Sequence, residues 1–358
     1  MSTSAKYLIV GSTEPHSGKT SSLLGLARHL QNKGFKIACG QPLSSGTSDP
    51  WLGSPPQNEV QFLTRELHLS LDCVQEPILT TNDETIRKRL QGEDTNDYRA
   101  AVTQLSVPDV DFVLWEGVSS LDEGSLFDLS LPQLADTVNA AVVLVLRYSS
   151  PAVIEKILAA KHRLGDRLVG IILNDIPNDE LDTVNVQVRP FLEARDLPVI
   201  GAIPHSALLR GVSVADVVAQ LDAEVLCGKD RLDLMVENIQ IGAMSVNSAV
   251  KYFQQSHNSA IVTGGDRADI QLAALETSAH CLILTGHRLT PPHLVLNRAE
   301  EVEIPVISVE RDTLTTVEIL DRMFGRTPVR EQLKLDYIYQ TASEHIEIDR
   351  LLALLALS

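Results

Sequence analysis

A run of small and polar residues near the N-terminus, GSTEPHSGKT from Gly11 to Thr20, has the composition of a phosphate-binding loop. The apolar segment YLIV precedes it and the helical-looking segment SSLLGLARHL follows it. In such an arrangement backbone N–H groups surround phosphate oxygens, Lys19 reaches the β- and γ-phosphates, and the Thr20 hydroxyl reaches a Mg²⁺ ion. The strict pattern has glycine where this chain has Thr13, so the flanking strand and helix support the prediction most. The alternative is a plain strand–turn–helix connection.

Further residues are candidates for the same site. Hard Mg²⁺ prefers carboxylate and hydroxyl oxygens. Glu116 ends an apolar segment and precedes a glycine, so we predict that it binds the metal together with Thr20; the alternative is an ordinary exposed strand-end carboxylate. Lys19 is the candidate catalytic residue. The predicted nucleotide contacts within the loop and the next turn are Gly11, Thr13, Ser17, Gly18, Lys19, Thr20 and Ser21.

The elements that position these residues alternate between apolar strands and amphipathic helices over residues 1–215. This alternation predicts an α/β domain with a parallel sheet flanked by helices, in which ligands lie beyond the carboxyl ends of the strands. The predicted strands are 7–10, 35–39, 111–115, 141–148, 168–174 and 198–204. A smaller α/β domain is predicted for residues 221–325, and a helical tail with a leucine cluster for residues 326–358. Such a tail packs on its own domain or on a twin subunit.

Composition excludes several classes of protein. The 358 residues suit two domains, and the net charge of −17 argues against binding to nucleic acid or to an anionic membrane surface. No apolar stretch approaches the roughly 20 residues that span a bilayer. The N-terminus lacks a signal-peptide pattern, and the four cysteines are scattered without metal-ligand spacing. We therefore expect a soluble cytoplasmic protein.

The N-terminal half resembles dethiobiotin synthetase and the related N-terminal domain of long bacterial phosphate acetyltransferases. The resemblance rests on the loop GSTEPHSGKT and on the segments 41–46 (QPLSSG), 115–117 (WEG), 172–175 (ILND) and 201–204 (GAIP). It implies that Asn174 and Pro204 frame an adenine ring, and that Glu59 is an acidic metal ligand. Asn174 alternatively caps the following helix, and Glu59 alternatively favours a helix macrodipole.

Two departures from the synthetase pattern affect the second substrate. A lysine that assists carbamate formation in the synthetases is replaced by the neutral Gln41. The glycine-rich continuation after Glu-Gly is replaced by residues 118–120 (VSS). We therefore expect that this chain does not make dethiobiotin.

The second domain resembles the DRTGG domain through residues 263–269 (TGGDRAD), with further matches at 241–245, 284–286 and 311–313. That domain lies in the middle of long phosphate acetyltransferases and acts as a dimerisation and regulatory module, so the resemblance implies a homodimer. The glycine turn is either an anion site beside Arg267 or a structural turn at a dimer interface. The acetyltransferase catalytic domain lies further C-terminal in that family, so we expect no acetyl transfer from these residues.

Three functions fit these observations. The first is a regulatory protein that binds ATP or ADP with Mg²⁺ and transmits that state through the DRTGG dimer to a protein partner. The second is an ATP-dependent ligase or kinase of the dethiobiotin synthetase type with a different small substrate. The third is a structural dimer with a vestigial phosphate loop, although the presence of both Lys19 and Thr20 argues against it.

Overall fold

The computed structural model describes residues 6–45, 59–105, 109–286, 291–326, 329 and 331–355. Strands and helices alternate along most of this part of the chain. The strands are β1 (Lys6–Gly11), β2 (Ile37–Gly40), β3 (Leu43–Ser45), β4 (Val74–Gln75), β5 (Leu79–Thr81), β6 (Phe112–Glu116), β7 (Ala141–Arg147), β8 (Leu168–Ile176), β9 (Val199–Pro204), β10 (Val212–Ser213), β11 (Glu224–Cys227), β12 (Met235–Val236), β13 (Asn238–Ile241), β14 (Ser259–Gly264), β15 (Ala279–Thr285) and β16 (Val306–Ser308).

The helices are short to medium in length. They are α1 (Lys19–Asn32), α2 (Glu59–Glu66), α3 (Asp83–Leu90), α4 (Tyr98–Thr103), α5 (Leu131–Thr137), α6 (Val153–Leu164), α7 (Leu181–Thr183), α8 (Arg189–Glu193), α9 (Ala207–Arg210), α10 (Val214–Leu221), α11 (Val246–Phe253), α12 (Ala268–Leu275), α13 (His293–Glu301), α14 (Thr313–Met323), α15 (Gln332–His345) and α16 (Ile348–Leu354). Among the described residues, no helix has the length and apolar character needed to cross a membrane.

The first sheet has seven strands in the order β4-β2-β6-β1-β7-β8-β9, and all of its pairs are parallel. Its inner strands are apolar over most of their length, as is typical of strands covered by helices on both faces. In β7, for example, all five residues from Val142 to Leu146 are fully buried. The predicted parallel sheet flanked by helices is confirmed; the two-residue edge strand β4 is an element that the sequence did not reveal.

The winding of this sheet leaves a crevice beyond the end of β1. From β1 the chain crosses to β2 on one side, and after β6 it returns past β1 to β7 on the other side. Connections therefore leave β1 in opposite directions, which is the topological switch point where ligands bind in open α/β sheets. The loop that follows β1 is the predicted phosphate loop.

The second main sheet has five strands in the order β11-β16-β15-β14-β13, with β13 to β16 parallel and β11 antiparallel to β16. Successive right-handed crossovers all advance in one direction, so they place α11, α12 and α13 on the same face. Phe253, Ile270 and Val295 from these helices share one core cluster, whereas Val217 of α10 and Ile319 of α14 belong to another. The smaller α/β domain predicted from the sequence is confirmed.

The chain forms two compact units. The described residues up to His205 and those of Arg330–Ser358 belong to the first unit, and those of Ser206–Val329 belong to the second. The predicted helical tail is thus part of the first unit: Leu335, Ile338 and Leu351 are buried there, and Gly201 of β9 bridges to Ile346. Among the described residues, the second unit is consequently an insertion within the sequence of the first.

Candidate nucleotide site

The phosphate loop turns into α1 at a glycine that no other residue can replace without strain. Gly18 has φ 92°, and a Cβ atom at this position would lie 2.1 Å from Nδ2 of Asn174. The same Nδ2 donates a hydrogen bond of 2.9 Å to the carbonyl of Ser17. A side chain from the end of β8 therefore fixes the backbone of the loop where it enters the helix. The first helix cap after Asn174 is Pro177, so the alternative that Asn174 caps this helix is wrong.

Lys19 is the first residue of α1 and is 9% exposed. Its ammonium group donates to the hydroxyl of Ser12 at 3.2 Å, and this hydroxyl in turn donates to the carbonyl of Glu14 at 2.6 Å. The loop thus folds back over the lysine that we predicted to contact the β- and γ-phosphates. An ammonium held in this way is a compact, preoriented cation.

Thr20 and Glu116 lie next to each other although 96 residues separate them in the sequence. The Thr20 hydroxyl donates to Oε1 of Glu116 at 2.8 Å. The parallel pairing of β1 with β6 sets Val10 opposite Glu116, and this register carries the carboxylate to the start of the loop. Glu116 is only 6% exposed, so the alternative of an exposed strand-end carboxylate is wrong.

Two hydroxyl groups of the loop have no hydrogen-bond partner among the described residues. They are Oγ of Ser17, whose residue is 1% exposed, and Oγ1 of Thr13. Buried polar atoms nearly always have a partner, so unsatisfied donors in a loop of this kind are typical of a ligand site. Ser21, in the first turn of α1, is half-buried, and Gly11 ends β1.

The oxygen groups fit a magnesium ion. The Thr20 hydroxyl and the Glu116 carboxylate are hard donors within hydrogen-bond distance of each other, and Mg²⁺ commonly binds few protein groups together with phosphate oxygens. Within the described ranges, no group of three or more His, Cys, Asp or Glu residues could hold a metal by itself. Glu59 begins α2, but its side chain lies outside the described part of the structure.

Three residues with ionisable side chains that the sequence analysis did not select, Arg147, Asp175 and His205, lie at the ends of β7, β8 and β9. Oδ2 of Asp175 accepts from Nε of Arg147 at 2.7 Å, and its Oδ1 is 2.6 Å from Nδ1 of His205. Asp175 and His205 directly follow the predicted adenine residues Asn174 and Pro204, and this adjacency was the available signal. Pro204 itself ends β9 and pairs with Ile176.

The groups around the glycine turn of the second unit, Gly264 and Gly265, are hydrogen-bonded to neighbouring residues of that unit. The guanidinium of Arg267 binds both carboxylate oxygens of Asp269 at 3.0 Å and also donates to the carbonyl of Met244. The fully buried Gln271 donates from Nε2 to the carbonyls of Gly264 and Gly265 at 2.9 and 3.1 Å. These contacts favour the structural interpretation of the turn.

Comparison with protein families and with known proteins agrees with this division. A family model described as an AAA domain matches residues 6–213, and the DRTGG domain model matches residues 216–323. The phosphate acetyltransferase of Nitratidesulfovibrio vulgaris is 24% identical over 96% of this chain and 51% of its own length. The phosphate acetyltransferase of Escherichia coli K12 is 22% identical over 95% of this chain and 51% of its own length. The chain therefore spans about half the length of these relatives.

Similarity to solved structures is weak. The CBS and DRTGG domains of the regulatory region of Clostridium perfringens pyrophosphatase, complexed with the activator diadenosine tetraphosphate, share 17% identity with this chain. The match covers 42% of this chain and 74% of the other with a TM-score of 0.30. A superposition this loose does not bear on the fold or the ligand of the present protein.

Proposed function

Because the chain belongs to the AAA domain family and carries a DRTGG domain after it, we propose that it is a regulatory protein that binds ATP or ADP. The site is Mg²⁺-dependent, and its occupancy is coupled to the DRTGG unit. The observation that carries the proposal is the 2.8 Å contact between Thr20 and Glu116 beside the buried Lys19. These are the hydroxyl, carboxylate and ammonium that a magnesium nucleotide requires.

Each group has a distinct role in this proposal. Lys19 neutralises the terminal phosphates, and the unpartnered hydroxyls of Thr13 and Ser17 donate to phosphate oxygens. Thr20 and Glu116 would hold Mg²⁺, which supplies positive charge at the same phosphates when it is bound. Gly18 allows the backbone to approach the ligand closely.

The course of the chain supports the proposed coupling. The second unit begins directly after His205 at the end of β9, and the chain returns to the first unit in α15. α15 packs on α1, the helix that starts at Lys19: a Cβ atom on Gly25 would lie 2.5 Å from Cβ of Ala342. A change in the loop that shifts α1 therefore acts on the helix that follows the second unit.

We further propose that the protein is a cytoplasmic homodimer with a protein partner. Acetyl transfer, the activity in the relatives' names, belongs to proteins about twice as long and is not part of this proposal.

Calorimetric titration with Mg-ATP and Mg-ADP tests nucleotide binding. We expect saturable binding that Lys19→Ala abolishes, and that Glu116→Gln weakens in Mg²⁺ but not in EDTA. The matched control Lys88→Ala, an exposed lysine on α3 of the same unit, should bind as the wild type does. Binding that survives Lys19→Ala in a folded protein would contradict the assignment of the loop.

Hydrogen exchange tests the coupling. Saturating Mg-ATP should change the protection of amides in residues 206–326 in the wild type, and this change should disappear in Lys19→Ala. If protection changes only in the first unit, the protein binds nucleotide without transmitting the signal to the DRTGG unit.

A second candidate function rests on a different observation. Polar groups lead away from the phosphate site: Oγ of Ser12 lies 3.4 Å from the carbonyl oxygen of Ser119, and Glu123 accepts from the N–H of Ser119 and from the Thr81 hydroxyl at 3.1 and 3.2 Å. The half-buried Ser44 and Ser45 of β3 and the exposed Thr80 of β5 lie in the strand pair beside it. An ATP-dependent ligase or kinase would have its second substrate there. Steady nucleotide turnover that requires an added metabolite would favour this candidate.

A further inference from the structure

Arg147, Asp175 and His205 form a connected row across the carboxyl ends of three adjacent strands, β7, β8 and β9. Both oxygens of Asp175 are engaged, Oδ2 by Nε of Arg147 at 2.7 Å and Oδ1 by Nδ1 of His205 at 2.6 Å. The side chain of His205 is 36% exposed and that of Asp175 is 16% exposed. The carboxylate is therefore mostly enclosed, whereas the imidazole reaches solvent.

The backbone is shaped to produce this arrangement. Between β8 and β9 the register advances three residues from Leu173 to Ile176 but only two from Ala202 to Pro204, so β8 contains one extra residue. Asp175 lies in this bulge with φ 58°, in the left-handed region. Bulges and left-handed non-glycine residues cluster at functional sites, where they redirect a side chain.

The contact with Asp175 fixes the tautomer of the imidazole. A carboxylate only accepts hydrogen bonds, and Arg147 only donates them, so Nδ1 of neutral His205 must carry the hydrogen that Asp175 receives. Its Nε2 is then an acceptor without a hydrogen. The exposed edge of His205 consequently accepts a hydrogen bond and does not donate one.

The row lies where the base of a loop-bound nucleotide would extend. Asn174, adjacent to Asp175, contacts the loop at Ser17. β9 is three strand spacings from β1, about 14 Å, which is within reach of an extended nucleotide. One amide hydrogen of Asn174 binds Ser17, so its second hydrogen and its oxygen remain for the base, and the exposed acceptor of His205 is a further polar group at the same edge of the sheet.

We propose that Asp175 and His205 form a purine-specificity element that selects a 6-amino purine over a 6-oxo purine. The inference rests on the proposed nucleotide site and deepens it. Nε2 of His205 accepts from the 6-amino group of adenine, whereas the 6-oxo group of guanine or hypoxanthine would set two acceptors against each other. His205 is the specificity-determining residue, and Asp175 is a positioning residue that acts through it.

Competition binding at about pH 8, where free imidazole is neutral, measures the preference. The wild type should bind Mg-ATP at least about 10-fold more tightly than Mg-GTP. ATP makes one hydrogen bond to Nε2 of His205, whereas GTP leaves this acceptor without a donor. It should also lose affinity for purine riboside triphosphate, which lacks the 6-amino group. In His205→Ala, ATP, GTP and purine riboside triphosphate should bind within about threefold of one another.

Asp175→Asn gives a readout that a merely structural role would not produce. Because Arg147 only donates, the new amide turns its oxygen to Arg147 and its NH₂ to Nδ1 of His205. The imidazole must then carry its hydrogen on Nε2, so the preference should shift toward GTP. The exposed His162→Ala on α6 is the matched control and should keep the wild-type preference.

The outcomes separate this inference from the proposed function. A wild type that binds no nucleotide, or binding unaffected by Lys19→Ala, overturns the nucleotide site itself. Nucleotide binding that depends on Lys19, with an ATP-to-GTP ratio near one in the wild type or unchanged in both His205→Ala and Asp175→Asn, overturns only the specificity element. Thermal unfolding of each variant confirms that it is folded.

Discussion

The two main sheets each end a central strand in a glycine-containing turn, but the polar groups of the two turns are engaged differently. After β1, the hydroxyls of Thr13 and Ser17 have no partner among the described residues. After β14, the guanidinium of Arg267 is bound by Asp269 and by a carbonyl of its own chain. A glycine turn after a parallel strand is therefore insufficient to indicate a site; the turn after β1 differs in presenting unpartnered hydroxyl groups, whereas the cation beside the turn after β14 is already bound.

The winding of the two sheets explains this difference. Connections leave β1 in opposite directions and open a crevice above it, whereas β13 to β16 follow one another in a single direction. Without such a divergence the loops at the carboxyl edge lie side by side and satisfy one another. The hydrogen bond of 2.7 Å between Thr285, at the end of β15, and Thr313, at the start of α14, is an example.

The largest effect is expected at Gly18 in the phosphate loop that follows β1. Gly18→Ala should weaken Mg-ATP binding by about 100-fold, or about 2.7 kcal/mol, because the new methyl group would displace Asn174 and the residue would be strained at φ 92°. Gly34→Ala, at the other end of α1, is the matched control: it has φ 88° but open space around it. It should lower stability by about 1 kcal/mol and leave affinity unchanged. Equal affinities for the two variants would contradict the role of the Gly18–Asn174 contact.

The next largest effect concerns the C-terminal helices of the first unit. Leu351→Ala on α16 removes a fully buried side chain and should lower the free energy of unfolding of the first unit by about 2–5 kcal/mol. Leu354→Ala, on the same helix but 40% exposed, should have a much smaller effect. Hydrogen exchange in urea reports the two units separately. Destabilisation of the second unit alone by Leu351→Ala would show that α16 belongs elsewhere.

A smaller effect is expected at the glycine turn that follows β14. Gln271→Leu leaves the carbonyls of Gly264 and Gly265 without their side-chain donor, so the second unit should lose about 1–3 kcal/mol of stability while nucleotide affinity stays unchanged. Gln255→Leu, an exposed glutamine after α11, is the control. A large loss of nucleotide affinity in Gln271→Leu would instead reveal that the second turn contributes to binding.

The smallest effect is expected in the alkylation rates of two buried cysteines, Cys39 in the first unit and Cys281 in the second. Burial, with a lesser contribution from nearby Cys73, raises the pKa of Cys39 to about 12, and burial likewise raises the pKa of the Cys281 thiol. Because the thiolate is the reactive form, alkylation near neutral pH requires local opening of the fold. Mg-ATP should slow the alkylation of Cys39 strongly and that of Cys281 weakly through the proposed coupling. Mass spectrometry of labelled peptides measures both rates; a Cys39 rate unaffected by Mg-ATP would contradict stabilisation of the first unit by nucleotide.

The strands could be predicted from the sequence because a strand buried on both faces is a continuous apolar run, which can be recognised without knowing the strands beside it. The triplet Gly18, Lys19 and Thr20 was equally legible, since a loop between a strand and a helix is a local feature. The row of Arg147, Asp175 and His205 was not. Its only signal in the sequence was the adjacency of Asp175 and His205 to the predicted adenine residues, because the row itself depends on a bulge in β8 and on the register of three strands.

The sequence by itself determined which elements form and which residues enter the phosphate loop, because periodicity and turn chemistry act over short distances. Only the tertiary structure decided that Glu116 reaches Thr20, that Asp175 orients His205, and that α15 and α16 return to the first unit after an insertion of more than 100 residues. These contacts join segments far apart in the chain, and their formation depends on strand order and on the packing of complementary apolar surfaces. A single sequence states the composition of those surfaces but not which of them meet.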